Sequence, residues 1–108
     1  MGDPAGEREL AAVFVVTEVS GPSWDASRAR REQDGWDEHA AFMDARVDDG
    51  FVVLGGPLGD GERVMLVVEA EDEGAVRARF APDPWLPAGI LEIASIEPWT
   101  IWLDARKT

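Results

Sequence analysis

His39 is the only histidine in the chain, inside Trp36-Asp37-Glu38-His39-Ala40-Ala41-Phe42-Met43, a stretch with amphipathic helical spacing. There is no cysteine and no tyrosine, and the single lysine is Lys107. Proton transfer near neutral pH therefore has few candidate agents. Imidazole is the one side chain here whose ordinary titration falls in that range. If the chain is a catalyst, His39 is the first residue to suspect. If it is not, His39 packs, and little other chemistry is on offer.

At ~100° per residue, with Trp36 set at zero, Ala40, Met43 and Val47 fall within about 40° and form a core stripe. His39 lies about 60° to one side, on the flank it shares with Phe42 and Arg46. That is the shoulder of the helix, where a pocket wall could be. A half-packed edge histidine is the plainer reading of the same position.

The second feature is Pro82-Asp83-Pro84-Trp85. Pro84 excludes Asp83 from helical backbone and Pro82 restricts the approach, so this carboxylate stands on a stiff loop. Helix termination alone would explain an Asp-Pro pair. A rigid loop can also aim the carboxylate at a partner, and an imidazole is the obvious one. A carboxylate on one ring nitrogen fixes the tautomer and makes the other nitrogen a better base.

Other candidates fall away. Gly55-Gly56-Pro57 lacks the lysine and the spacing of a phosphate loop and joins two strands, so its glycines suit a bulge or a close backbone approach at a pocket rim. No His-x-x-x-His or acidic cluster suggests a metal site, and the expectation is a protein with no metal and no cofactor. Ser23 sits in a loop with nothing to link it to His39 as a nucleophile.

The elements that must position His39 and Asp83 follow from local pattern. Leu10 to Glu18 is apolar, β-branched and short, a strand. Ser20 to Asp25 is a turn cluster. Helical spacing runs from about Ser27 to Asp49 in two parts, broken at Asp34-Gly35 and stopped by Gly50. Phe51 to Leu54 is a second strand, Gly55 to Gly61 a tight turn, and Val64 to Glu69 a third strand. Asp72 caps a short helix to about Phe80; a last strand runs from Gly89 or Ile90 to Ile96. The order β-α-β-β-α-β is that of a ferredoxin-like α+β domain, an antiparallel sheet with two helices on one face. Residues 10–103 form this single domain, with residues 1–9 a flexible tail and residues 104–108 a short C-terminal one.

Val13-Phe14-Val15-Val16 and Val64 to Val68 do not alternate apolar with polar, so both sheet faces should be buried. Two helices can cover only one. The expected cover for the other is a second copy of the chain, sheet against sheet, with the Trp99 to Leu103 stretch reaching across. Net charge is −12 in 108 residues. So acidic a surface would be repelled by phosphate backbones and anionic lipid, which argues against nucleic-acid or membrane partners. No run approaches the ~20 apolar residues of a membrane helix. The polar, acidic N-terminal residues do not read as an export signal, so the cytoplasm is the expected location.

Taken together, Trp36-x-x-His39-x-x-Phe42-Met43, Gly50-Phe51, Gly55-Gly56-Pro57-Leu58, Asp83-Pro84-Trp85, Gly89 and Pro98-Trp99 resemble the YCII-related (YciI-like) family. The likeness runs from about residue 10 to residue 103, and its specificity lies in the order of motifs that are individually weak. It implies a dimeric α/β barrel of ferredoxin-like subunits. It also implies an active site built on a His–Asp pair, which maps to His39 and Asp83.

Two functional classes follow. One is a cofactor-free enzyme in which Asp83 orients His39 for proton transfer on a small organic molecule, by elimination, isomerisation or hydrolysis. Trp24, Phe42, Gly55, Gly56, Pro57 and Trp85 are then the expected substrate contacts, and the tryptophans suit an apolar or aromatic ligand. The other class is a dimer that binds or senses a small molecule in the same pocket without transforming it. A structural domain with an empty site is a third reading, which a wide separation of His39 and Asp83 would favour.

Overall fold

A computed structural model describes residues 12–106. Strand β1 spans Ala12–Ser20 and is followed by a long loop with a single 3-10 turn at Arg30–Glu32. Helix α1 spans Trp36–Asp48, β2 Val52–Leu58, β3 Arg63–Ala70, α2 Glu73–Phe80 and β4 Leu91–Pro98. The sheet order is β2-β3-β1-β4, and each neighbouring pair is antiparallel. This is the ferredoxin-like α+β arrangement that the element order implied. The expected tail at residues 1–9 lies outside the described residues, as do Leu10 and Ala11 of the expected first strand. Among the described residues, no helix is long and apolar enough to cross a membrane.

Strand periodicity decides where the core sits. Phe14 and Val16 of β1 face the same way as their cross-strand partners Val68 and Leu66. With Phe51, Val52, Val76 and Phe80 they make the main core, against which Phe42 and Met43 of α1 pack. The opposite face carries Val13, Val15, Met65, Val67 and Leu54, and Leu54 remains 51 % exposed. Both faces of the central strands are apolar, as their unbroken hydrophobic runs implied. Both helices contribute to the core on the first face.

Helix ends follow their local chemistry. Gly35 takes φ +77° at the N-cap of α1, and Gly50 takes φ +85° just past its end. Both are left-handed conformations that favour glycine. The Asp72 carboxylate accepts from the Ala75 backbone N–H at 2.8 Å and caps α2, which is the role expected of it. Asp49 ties the far ends of the helices together, because its carboxylate accepts from Arg46, Arg79 and the Phe51 backbone N–H.

Three expectations about local structure change. The expected helical part from Ser27 to Asp34 holds only the 3-10 turn at Arg30–Glu32. The stretch from Gly55 to Leu58 is not a tight turn: it continues β2, paired with Leu66, Met65, Val64 and Arg63. A Cβ on Gly55 would stand 2.4 Å from Leu66 Cδ2, so glycine here serves close cross-strand packing, and the chain reverses at Gly59 to Gly61. Helix α1 is also rolled from its expected orientation. His39 is its one buried residue, while Val47, assigned to the core stripe, is 53 % exposed. The reason is polar: the helix turns toward the carboxylate that His39 meets.

Glycine is also required where β1 leaves the sheet. A Cβ on Gly21 would lie 2.2 Å from the Gly89 carbonyl oxygen, a backbone atom that cannot rotate away. The hydrogen bonds Gly21 N–H to Ile90 O and Ser23 N–H to Gly89 O hold the two segments at this distance. Gly21→Ala is expected to destabilise the domain by about 1–3 kcal/mol, as overpacking does, whereas Gly56→Ala, with open space around the new methyl group, is expected to be close to neutral. Urea melts of the two variants check this; equal midpoints would contradict it.

Candidate functional site

Asp83 lies on the loop between α2 and β4, and the backbone builds its position. The Asp83 N–H donates to Phe80 O, and the carboxylate accepts the Trp85 backbone N–H at 3.0 Å, so the side chain is folded back over its own loop. Trp85 then anchors the loop to the start of α1, because its indole Nε1–H donates to Asp34 O at 2.7 Å. Gly35 lies beside that ring, where its φ of +77°, and not lack of space, is what favours glycine.

This docking brings His39 and Asp83 together across 44 positions of sequence. His39 Nδ1 lies 2.9 Å from one carboxylate oxygen and 3.0 Å from the other. The carboxylate is wholly buried, and the imidazole side chain is 8 % exposed. An ionised carboxylate can only accept, so Nδ1 carries the proton and Nε2 is left with its lone pair. Removing the carboxylate would strand buried N–H donors of His39 and Trp85, at about 1–3 kcal/mol apiece.

The imidazole is fixed on its faces as well as its edge. It stacks on the Trp85 ring with centroids 3.9 Å apart and planes 7° from parallel. Trp36 tilts against both rings, at 5.8 Å from His39 and 5.7 Å from Trp85. The stack and the tilted indole hold the imidazole plane in one orientation.

The expected substrate contacts divide. Trp85 is 1 % exposed and forms the bed of the imidazole, not an outer surface. Trp24 meets the Trp85 ring edge-on at 6.2 Å and is half-buried. Phe42 packs on the main core beneath the Arg46 guanidinium, 4.9 Å from its ring. Gly55, Gly56 and Pro57 lie on β2, paired to β3. A surface hollow lined by Val19, Ser20, Asp60, Glu62 and Arg63 contains none of these residues. Among the described residues, no cluster of three or more His, Cys, Asp or Glu side chains could hold a metal ion.

Sequence reading missed three residues of this neighbourhood. Gln33 is 4 % exposed and laces the loop after β1, its amide bonded to Asp25 in both directions and to Arg28 O. Arg30 lies over the Trp24 and Trp85 rings, 5.3 and 5.9 Å from their centroids. Glu18 is 2 % exposed, and its Oε2 is the one buried side-chain oxygen or nitrogen among the described residues without a hydrogen-bond partner. The period-2 alternation Phe14, Val16, Glu18 held the signal, since it points a carboxyl into the core side of β1. A shift in the β1–β4 register between Thr17 and Glu18 marks the same spot.

Burial raises the Glu18 carboxyl from its ordinary 4.5 to about 7; Asp83 pushes the same way and Arg30 opposes them. Burial pulls Arg30 down from its ordinary value, and Glu18 counters that. The folded chain thus keeps the Glu18 proton to about pH 7, whereas the unfolded chain releases it near 4.5. Between those limits the native state binds more protons, so this contribution to stability is full below the window and is lost as pH rises through it. The span corresponds to roughly 3 kcal/mol. From about pH 5 to about pH 8, the unfolding free energy of the natural chain is expected to decline relative to that of Glu18→Gln. Parallel curves in urea titrations would contradict this.

The profile of the YCII-related domain matches residues 22–100. No curated protein and no solved structure matches the chain. The matched span holds Trp24, Arg30, His39, Asp83 and Trp85, while β1 with Glu18 precedes it. Since the match covers well over half of the sequence and both members of the buried pair, the chain belongs to the YCII-related domain family.

Proposed function

We propose that this protein is a proton-transfer catalyst that works without a cofactor on a small organic molecule, with His39 as the acid–base residue and Asp83 as its positioning partner. One observation carries this reading. Both carboxylate oxygens lie within hydrogen-bond distance of Nδ1, and Nε2 has no partner among the described residues. A histidine kept only for packing does not need one nitrogen secured by a buried acid and a ring aligned on an indole.

In this scheme Nε2 takes a proton from the substrate. Asp83 stabilises the resulting imidazolium, and the same nitrogen returns the proton to the product or leaving atom. Elimination, isomerisation and hydrolysis all use such a step. Trp24 and Trp36, both half-buried beside the dyad, are the proposed aromatic walls for the ligand. The Gly55-Gly56-Pro57 stretch plays no part in this proposal, because the β2–β3 pairing already accounts for it.

The working form in this reading is a homodimer, sheet against sheet. Its support is the apolar second face of the sheet, together with Trp102 and Leu103, which are 87 % and 92 % exposed beyond β4. A contiguous apolar face of this kind, more than single exposed side chains, is what marks an interface.

The test is His39→Ala, with Asp83→Asn beside it, screened by mass spectrometry for solvent-deuterium incorporation into a panel of small organic acids, enols and lactones. Both variants are expected to lose on the order of 10²–10⁴-fold in exchange rate while sedimenting as the same dimer as the natural chain. Undiminished exchange in His39→Ala would dispose of the catalytic reading. A ligand that raises the melting temperature but is recovered unchanged would favour a binding or sensing role instead. Sedimentation of the natural chain as a monomer would remove the dimer.

A further inference from the structure

The Asp83 carboxylate does not by itself orient His39. Nδ1 lies almost equally far from both oxygens, at 2.9 and 3.0 Å, so the ring can rock between them. An N–H bond stays favourable until roughly 30° or more off line. The outer torsion of a histidine is also soft, with broad wells in place of sharp staggered ones. The contact therefore holds one atom and leaves the plane of the ring open. Nε2 sits on the far side of that ring, where rocking about the held atom displaces it most. In the proton-transfer scheme Nε2 is the atom that must be aimed.

Trp85 is placed to close this freedom. Its ring lies against the imidazole with centroids 3.9 Å apart and planes 7° from parallel. Trp36 meets the same imidazole at a tilt of 49° and is only half-buried, so it bounds the ring without aligning it. The Trp85 ring is in turn pinned at both ends. At the backbone, its N–H donates to Asp83 Oδ1 at 3.0 Å and its carbonyl accepts from Ile90 and Leu91 at 3.0 and 3.2 Å. At the far end, Nε1–H donates to Asp34 O at 2.7 Å. Asp34 precedes Gly35, whose carbonyl accepts the His39 backbone N–H at 3.0 Å. One side chain thus reaches from the loop that carries the acid to the first turn of the helix that carries the base.

We propose that the Trp85 indole is a positioning residue for His39: its face sets the plane of the imidazole and its N–H sets where that face stands, which together give Nε2 its direction. Asp83 is left to set the tautomer. The kinetic consequence rests on the proton-transfer reading; the geometric one does not. At 1 % exposure the residue offers a ligand no surface, so it acts only through His39. Its two contributions are separable. Phenylalanine keeps a flat face and loses the N–H, leucine loses both, and the backbone N–H to Asp83 survives either change.

The rate at which the His39 Hδ1 exchanges with water reports the clamp without any substrate. Each variant is measured at the same interval below its own melting temperature, with Val76→Ala, a loss of packing in the main core, as the control. Trp85→Phe is expected to speed Hδ1 exchange roughly tenfold and Trp85→Leu further, while Val76→Ala leaves it unchanged. In the deuterium-incorporation assay Trp85→Phe should lower kcat roughly tenfold and keep KM within about twofold, because it misaims the base without touching the substrate. Unchanged Hδ1 exchange in Trp85→Phe, an equal rise in Val76→Ala, or a KM that climbs while kcat holds would each overturn the positioning role. If Trp85→Leu does not fold, Trp85→Phe decides alone. Undiminished turnover in His39→Ala would end the proton-transfer reading and leave the Hδ1 result standing, so the two fail separately.

Discussion

A buried imidazole in contact with a buried carboxylate constrains the rest of this molecule. Taking a carboxylate out of water costs several kcal/mol, and the contact offsets that cost only if geometry is good and the remaining polar atoms are satisfied. The architecture around His39 and Asp83 supplies those conditions. The carboxylate accepts a second N–H from Trp85, and the indole is fastened to Asp34. Helix α1 rolls to bury His39 and leaves Val47 outside. Helix orientation here follows a polar contact more than a hydrophobic stripe.

The loops on either side are built to the same end. Gly21 and Gly89 bring the exit of β1 against the entry to β4, at a distance no side chain would permit. Gln33 holds the intervening loop by hydrogen bonds to Asp25 and Arg28, which leaves Trp24 and Arg30 against Trp85. A second small core of Trp85, Ile90 and Leu91 thus sits apart from the main one under the helices. Glu18 extends the line of Phe14 and Val16, both of the main core, which is why its carboxyl is both buried and unpaired.

Much of this was legible in sequence, for identifiable reasons. Hydrophobic runs and glycine stops gave the order of strands and helices, because backbone conformation there is decided locally. A lone imidazole and a proline-braced acid suggested the His39–Asp83 pairing, and the family resemblance singled it out, since 22 acidic residues offer His39 many other partners. The β2 boundary was not, since Gly55-Gly56-Pro57 carries turn composition, and only cross-strand contact with Leu66 explains the glycine. Nor was the roll of α1, because a wheel ranks faces by apolarity and cannot see a carboxylate contributed from residue 83. Glu18 went unread at the end of its strand, although period-2 alternation already directed it inward.

The single histidine makes the central claim directly measurable. In a ¹⁵N-labelled sample, long-range ¹H–¹⁵N correlation yields one imidazole pattern, with no assignment to resolve. The expected result is a Nδ1-protonated ring whose Hδ1 signal lies far downfield, exchanges slowly with water, and is lost or strongly shifted in Asp83→Asn. A ring protonated at Nε2 alone, or one averaging freely with solvent and indifferent to Asp83→Asn, would contradict the buried pair on which the site is built.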